Sequence, residues 1–453
     1  MTPSKGTRLL SFFLRPFAKV EPGEALSTVA LTLTVFLLLT AYYLLKTARE
    51  PLILLHGGAE VKSYAAAGQA ALLLVVVRLY GEVATRVGRL KLLTIVYLFF
   101  VSNLLIFAAC ARAGLDIGVP FFLWVGVFNY TAIAQFWAFA ADMYGPEQGK
   151  RLFPILGIGS SVGAVAGARI AKSMVSLGPP AMMVLAGLIL VVCVAMFAWV
   201  DRTAEKPVRA AAGEEKPEEP LAPESPFHLV LRDRYLLLVA GLTLVLNWCN
   251  ANGEYILDRT LLASVSEAQA HGMTPEKFVG AFKAEYFAWV SVAGVVVQMF
   301  LVSRILTRFG VRNALLVMPI VTFTGYTLVL FAPVLALIRV AKVAENSLDY
   351  SLQNTARQAL YLVTSRAEKY AGKTLVDTFV VRAGDMLSAG VVLLGSRIGV
   401  STQTFAALNL VLVTVWIVSI FAIGKENDRR AAEGALVEAE PLEASRQGSS
   451  IGA

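Results

Sequence analysis

Residues 27–50 read STVALTLTVFLLLTAYYLLKTARE, and this stretch decides the fold class. Its first part, residues 27–45, contains no charged side chain. About 20 predominantly apolar residues are enough for an α-helix to cross the hydrocarbon core of a bilayer. Lys46, Arg49 and Glu50 close the stretch at spacings that allow them to share one helix face. The stretch therefore predicts a membrane-spanning helix with charged side chains at one end.

Apolar stretches of similar length recur along the whole chain. Hydrophobic residues make up 57% of the 453 residues and charged residues 16%, and the mean hydropathy is +0.66. A soluble domain of this size cannot hide that much apolar surface. The stretches lie near residues 27–50, 63–80, 91–111, 119–141, 153–175, 180–200, 235–257, 284–302, 314–332, 333–360, 375–396 and 403–424. We predict an all-α membrane protein with about twelve transmembrane helices in two six-helix, pseudo-symmetric halves.

A segment rich in glutamate and proline separates the two sets of helices. Residues 214–223 read EEKPEEPLAP, a composition that cannot bury enough apolar surface to fold. Lys and Arg concentrate in the loops on the side of the N-terminus, which predicts that both termini are cytoplasmic. We divide the chain into a cytoplasmic amphipathic N-terminus (1–24), a six-helix N-terminal half (25–200), a disordered cytoplasmic linker (201–232), a six-helix C-terminal half (233–424) and a cytoplasmic tail (425–453).

An internal repeat supports the division into two halves. Residues 85–89 (TRVGR) follow the second span, and residues 307–311 (TRFGV) follow the eighth. Residues 81–91 (GEVATRVGRLK) resemble the loop signature of the major facilitator superfamily, with Thr85 where an acid is usual. A single copy fits any positively charged loop, but two copies in register favour a transporter. In that superfamily helices 1, 4, 7 and 10 line a central cavity.

Charged residues inside a span are costly and mark the path of a ligand or ion. They are concentrated in three of the predicted spans. The first ends with Lys46, Arg49 and Glu50, although Lys46 and Arg49 are also placed to reach the outer membrane surface. The seventh carries Asn247, Asn250, Glu254 and Asp258, with Arg259 beside them, and the tenth carries Arg339, Lys342, Asn346, Asp349 and Gln353 along one face.

The tenth span also allows a purely structural interpretation. Arg339 and Lys342 can pair with Glu345 and Asp349 within the helix, which would still require a polar surface to face. Several cations with fewer acids suit an anionic substrate, because Arg grips phosphate or carboxylate through its planar fork and Lys supplies a point charge.

Catalysis and nucleic-acid binding are not expected. No nucleophile, base and orienting group occur together, and the net charge of +8 is spread in short clusters between apolar runs. The three Cys lie in apolar runs, so we expect neither disulfides nor a metal site. Glycines 157, 159, 163 and 167 in the fifth span predict close helix packing rather than a dinucleotide fingerprint, because no strand precedes them. No cofactor is expected.

Several motifs resemble the ATP/ADP translocases of intracellular bacteria and plastids. These are residues 49–52 (REPL) followed by residues 57–60 (GGAE), residues 136–140 (FWAFA), residues 150–157 (KRLFPILG), Glu254, residues 350–352 (YSL), Arg357, Tyr361, Lys369, residues 372–373 (GK) and Asp377. The similarity spans most of residues 40–390 and implies a nucleotide carrier in which Glu254 serves transport. The chain departs from the family's pattern in having no acid between Pro120 and Phe139, Asp349 in place of a Lys, and Arg357-Gln358 in place of Lys-Glu.

These observations predict a monomeric, multi-pass carrier of the bacterial inner membrane that exchanges nucleotides or another phosphorylated anion by alternating access. Its partners are then a small anionic substrate and the lipid bilayer, without nucleic acid. A proton-coupled symporter with Glu254 or Asp349 as proton carrier, and a non-transporting scaffold or receptor, remain alternatives. We predict substrate binding by Lys46, Arg49, Asn250, Glu254, Arg339, Lys342, Asn346 and Arg357, and gating or coupling by Glu50, Arg86, Arg308, Asp349, Asp377 and Arg382.

Overall fold

The computed structural model describes residues 20–21, 24–84, 87–144, 146–203, 226–364, 368 and 372–449. Every regular element in these residues is a helix, and ten helical segments among them are long and apolar enough to cross a membrane. The α-helices are α1 (Ala25–Ala84), α2 (Arg89–Arg112), α3 (Gly118–Met143), α4 (Pro146–Met174), α5 (Pro179–Thr203), α6 (Pro226–Arg232), α7 (Arg234–Ala263), α8 (Val265–Ala270), α9 (Pro275–Phe300), α10 (Val302–Phe331), α11 (Leu335–Leu348), α12 (Asn354–Leu360), α13 (Lys373–Leu375), α14 (Val381–Arg397) and α15 (Thr402–Ser449).

The first two predicted spans lie in one helix. α1 contains 60 residues and is about 90 Å long at the rise of an α-helix, enough for two crossings. Gly58 breaks it with φ 76° and ψ 178°, a conformation that glycine adopts without steric cost. Gly310 breaks α10 in the same way, with φ 74° and ψ 173°. The corresponding glycine of the first repeated loop, Gly88, has φ −60°, so the two loop copies differ in backbone conformation.

The tenth predicted span is interrupted by a π-helix. α11 ends at Leu348, residues 349–353 are π-helical, and α12 follows. Because π-helical hydrogen bonds join residues five apart, side chains beyond the π-helix leave the line that α-helical spacing defines. Lys342 and Asn346, which precede it, are buried, whereas Asp349 is half-buried.

The described residues form two compact units. The first comprises Met1–Glu218 with Leu261–Val292, and the second Glu219–Thr260 with Ala293–Ala453. The sequence division differs in placing all of residues 233–424 in the second half. Residues 1–19 of the predicted N-terminal segment and 204–225 of the predicted linker lie outside the described residues, while the linker's last residues form α6. α15 continues into the predicted tail as far as Ser449.

Glycines of α4 allow that helix to pack against α1. A Cβ atom at Gly159 would lie 2.7 Å from Thr32 O, and one at Gly167 would lie 2.6 Å from Thr40 O. At Gly163 a Cβ atom would lie 2.8 Å from the Cα of Phe36. The packing role predicted for the glycine series is confirmed at these three positions. Gly157 differs, because a Cβ there meets nothing within 4 Å.

These two environments give a matched pair of substitutions on one helix. Gly163→Ala introduces a methyl group where α1 leaves no space, and we expect a loss of about 1–3 kcal/mol of stability. Gly157→Ala is expected to maintain or raise stability, because alanine is favoured over glycine inside a helix by about 1 kcal/mol. Thermal unfolding of both variants in the same detergent measures the difference. Equal unfolding temperatures would contradict the packing described for α1 and α4.

Candidate functional site

A buried ion cluster in the first unit is centred on Glu50 of α1, whose side chain is 1% exposed. Lys62 Nζ lies 2.6 Å from Glu50 Oε2, and Lys283 Nζ lies 3.4 Å from the same oxygen. Arg49 Nε lies 3.2 Å from Glu50 Oε1. Lys62 follows the break at Gly58, and Lys283 belongs to α9. One carboxylate therefore contacts three cations from three helical segments, and we call these four residues the first cluster.

Aromatic rings surround the cations near this cluster. Lys46 Nζ lies 4.3 Å from the ring centroid of Phe287 and 5.3 Å from that of Tyr43. The guanidinium carbon of Arg49 lies 4.5 Å from the ring centroid of Phe122. Such contacts stabilise a desolvated cation through the ring quadrupole. The Arg49 side chain is only 14% exposed, so most of it is covered by protein.

Sequence reasoning found three of the cationic and acidic residues here and missed two. Lys46, Arg49 and Glu50 are among the predicted site residues, whereas Lys62 is not. Lys283 immediately precedes the predicted span 284–302 and is not among the predicted substrate-binding or gating residues. Its side chain is fully buried in the structure. The signal that identifies it is the length of α9, which begins at Pro275 and places Lys283 well inside a helix.

A second cluster, in the second unit, is centred on Lys342 of α11. Lys342 Nζ donates to Asn250 Oδ1 at 2.7 Å and lies 3.1 Å from Glu345 Oε1. Glu254 Oε1 is 3.7 Å from the same ammonium group and accepts a hydrogen bond from Asn346 Nδ2 at 2.9 Å. The Lys342 side chain is 2% exposed, and that of Glu254 is 28% exposed. We call these five residues the second cluster.

The second cluster brings together Asn250, Glu254, Lys342 and Asn346, four of the predicted substrate-binding residues. Glu345 is an addition, and its Oε2 accepts a hydrogen bond from the Tyr326 hydroxyl of α10 at 3.2 Å. The pair of Lys342 and Glu345 is the contact within the helix that the structural interpretation predicts. Lys342 makes this contact in addition to its contacts with Asn250 and Glu254 of α7. The structural interpretation and the substrate-binding interpretation of the tenth span are therefore compatible.

The other predicted residues of the second unit occupy several positions on α11, α12, α14 and the π-helical turn before α14. Arg339 is half-buried on α11, and Arg357 is half-buried on α12, beyond the π-helix. Arg382 forms an ion pair with Asp385 at 2.9 Å, and Asp377 is exposed, 3.8 Å from Lys373. Among the other predicted gating residues, Arg308 is exposed with its guanidinium 5.8 Å from the ring centroid of Phe309, and Arg86 lies outside the described residues.

A third ion cluster at one end of the second unit was not predicted. Arg430 of α15 contacts carboxylates of Asp233 and Glu368, the latter at 3.4 Å, and reaches Glu426 at 4.0 Å. The Tyr235 ring lies under its guanidinium at 4.7 Å. None of these residues is among the predicted site residues. The cluster joins the start of α7 to the middle of α15.

Membrane-length helices with paired charges in their buried faces define a polytopic membrane protein of the transporter type. The chain belongs to the Major Facilitator Superfamily, whose sequence profile matches residues 25–344. This finding confirms the superfamily resemblance of the repeated loop.

Related sequences carry the names of nucleotide carriers. ADP,ATP carrier protein 1 of Chlamydia pneumoniae is 22% identical over 337 residues, which cover 64% of this chain and 63% of that protein. The chloroplastic ADP,ATP carrier protein 1 of Arabidopsis thaliana is 23% identical over 341 residues, covering 66% and 52%. The chain thus spans less than two thirds of the length of these relatives. They agree with the ATP/ADP translocase resemblance found in the sequence.

Solved structures of similar fold include other transporters. The nucleoside transporter NupG matches with a TM-score of 0.59 and 10% identity, covering 88% of this chain and 98% of that one. The POT family transporter PepTSo matches with a TM-score of 0.60 and 11% identity, covering 90% and 98%. At these identities the matches show the fold alone.

The second cluster predicts a stability effect at Lys342. Lys342→Met removes the cation and leaves the buried Glu345 carboxylate without its nearest countercharge, and we expect a loss of about 3 kcal/mol. Lys277→Met is the control, because Lys277 is exposed and such substitutions stay within about 0.5 kcal/mol. Thermal unfolding in one detergent compares them. Adding Glu345→Gln to Lys342→Met should recover part of the loss, and no recovery would contradict the role given to Glu345.

Proposed function

We propose that the chain is a carrier that exchanges nucleotides such as ATP and ADP, or another phosphorylated anion, across a membrane by alternating access. In this proposal the protein is a monomer with twelve spans in two halves. The break at Gly58 divides α1 into the first two spans, and α11 with α12 forms the tenth. The membrane is the bacterial inner membrane, and both termini are cytoplasmic.

The observation that carries the proposal is the concentration of buried cations in the first unit. Three cations contact the Glu50 carboxylate, and Lys46 lies on the same helix, four residues earlier. Burying cations costs free energy that an anion offsets, and phosphate oxygens accept short, strong hydrogen bonds from Lys and Arg. The names of the related carriers point to the same class of substrate.

The second cluster supplies different chemistry. Asn250 and Asn346 offer amide groups that donate and accept hydrogen bonds, and Glu254 offers a carboxylate that accepts them. Groups of this kind suit the edge of a nucleobase or the hydroxyls of a sugar. We therefore assign Lys46 and Arg49 in the first unit to phosphate binding. Within the second unit, we assign Asn250, Glu254 and Asn346 to hydrogen bonds with substrate, and Lys342 holds these three side chains in position. Arg339 and Arg357 remain predicted anion contacts.

We assign gating and coupling to charged residues that are not assigned to substrate binding. We assign this role to Arg86, Arg308, Asp349, Asp377 and Arg382, with Glu50 coupling the cations of the first cluster. Arg382 is already paired with Asp385, and Asp377 lies near Lys373. Ion pairs of this kind stabilise one conformational state and break in another.

Transport in proteoliposomes tests the exchange. We expect labelled ATP to enter vesicles that contain ADP and not to enter empty vesicles. The symport alternative predicts entry into empty vesicles when a proton gradient is imposed. Vesicles that take up no label under either condition, together with no thermal stabilisation by nucleotides, sugar phosphates or inorganic phosphate, would support the non-transporting alternative.

The proposed phosphate contacts give a sharper test. Replacing both Lys46 and Arg49 with Gln is expected to abolish ATP uptake, because two cations are lost while the size of the side chains is nearly maintained. Lys172→Gln is the control, since Lys172 is 44% exposed and pairs only with Glu285 among its described carboxylate contacts, at 3.3 Å. Both variants must migrate as folded protein in size-exclusion chromatography. Unchanged uptake by the double variant would remove Lys46 and Arg49 from the site.

A further inference from the structure

Two lysines share one oxygen of the Glu50 carboxylate. Lys62 Nζ is 2.6 Å and Lys283 Nζ is 3.4 Å from Glu50 Oε2. The two lysines come from different helical segments, separated by more than two hundred residues in the chain. They therefore converge on a common point in space that is not fixed by local helix geometry.

That point has the properties of an anion site. The side chains of Lys283 and Glu50 are 0% and 1% exposed, so the site is shielded from water, where charge interactions are strong. An oxygen between two ammonium groups is also the arrangement in which a phosphoryl oxygen is held by lysines. A carboxylate carries one negative charge, whereas a terminal phosphoryl group carries nearly two near neutral pH. A phosphoryl group would therefore compensate the three cations more completely than Glu50 does.

From this geometry we infer that Lys62 and Lys283 form a phosphoryl-binding subsite, and that the Glu50 carboxylate occupies it as an internal competitor when substrate is absent. Substrate binding then exchanges one anion for another at the two ammonium groups. The internal anion keeps the buried lysines paired in the empty protein. The inference depends on the proposed function only for the statement that the substrate carries phosphate.

If Glu50 competes with substrate for the two lysines, substitutions of Glu50 and of the lysines should have opposite effects on anion affinity. Glu50→Gln maintains the shape of the side chain and removes its charge, so the subsite is no longer occupied and anion affinity should rise. Lys283→Gln or Lys62→Gln removes an ammonium group, so anion affinity should fall. A purely structural ion pair predicts instead that all three substitutions weaken binding, because each disturbs the same packing. The sign of the Glu50 effect therefore separates the two accounts.

Titration of the purified full chain with pyrophosphate measures these effects by isothermal calorimetry. We expect the Kd for pyrophosphate to fall about tenfold in Glu50→Gln and to rise about tenfold in Lys283→Gln and Lys62→Gln, since occupation by a competitor raises an apparent Kd in proportion. Glu285→Gln is the control, because Glu285 pairs with Lys172 on the surface of the same unit, and its Kd should equal that of the unmodified protein. A Kd for Glu50→Gln equal to or above that of the unmodified protein would overturn the inference.

A second measurement uses the unmodified protein and covers the case in which Glu50→Gln does not fold. Carbodiimide labelling of Glu50, followed by mass spectrometry, should increase when pyrophosphate releases the carboxylate from the lysines. Labelling that stays constant or decreases at saturating pyrophosphate overturns the inference. These results are independent of ATP/ADP exchange: pyrophosphate can displace Glu50 in a protein that does not exchange nucleotides, and exchange can occur without this displacement.

Discussion

A charged side chain inside a membrane-spanning helix must be paired, and both units are organised around this requirement. In the first unit the central charge is the carboxylate of Glu50, and its partners come from α1 and α9. In the second unit the central charge is the ammonium group of Lys342, and its partners come from α7 and α11. Each cluster connects helices that are distant in sequence. The residues that hold the helices together are therefore also those that can interact with a charged ligand, so folding and function draw on the same side chains.

The paired charges require close helix packing, which glycines provide. In the first unit Gly118, at the start of α3, approaches the backbone of α1 at Leu52, two residues after Glu50. In the second unit a Cβ atom at Gly253 of α7 would lie 2.9 Å from Lys342 Nζ and would also collide with the Tyr326 hydroxyl. The absence of a side chain at Gly253 thus creates the space in which Lys342 reaches Asn250. Small residues bring membrane helices together in the same way elsewhere, but here one of them also makes room for a charge.

The sequence was sufficient to predict the class of fold and part of each cluster. Apolar length identifies spans, and helical spacing places Asn250 and Glu254 on one face, because both properties are local. It was not sufficient to predict that Lys283 meets Glu50, since that contact depends on how two helices pack. The π-helix at residues 349–353 also interrupts the α-helical spacing on which the predicted polar face of the tenth span depends. Single-sequence periodicity assumes an uninterrupted α-helix and cannot detect such a change.

The two clusters have opposite polarity, and this difference limits what each can bind. An added anion is attracted to the first cluster, where three cations contact the Glu50 carboxylate. At the second cluster the described contacts place two carboxylates, those of Glu254 and Glu345, beside the ammonium group of Lys342. A group that donates hydrogen bonds is instead suited to the carboxylates of the second cluster, because a carboxylate accepts hydrogen bonds. The described contacts thus give the two clusters different charge, so each cluster is suited to a different kind of chemical group. Charge distribution, more than the shared helical framework, is consequently what distinguishes the substrate of such a protein from those of others with the same fold.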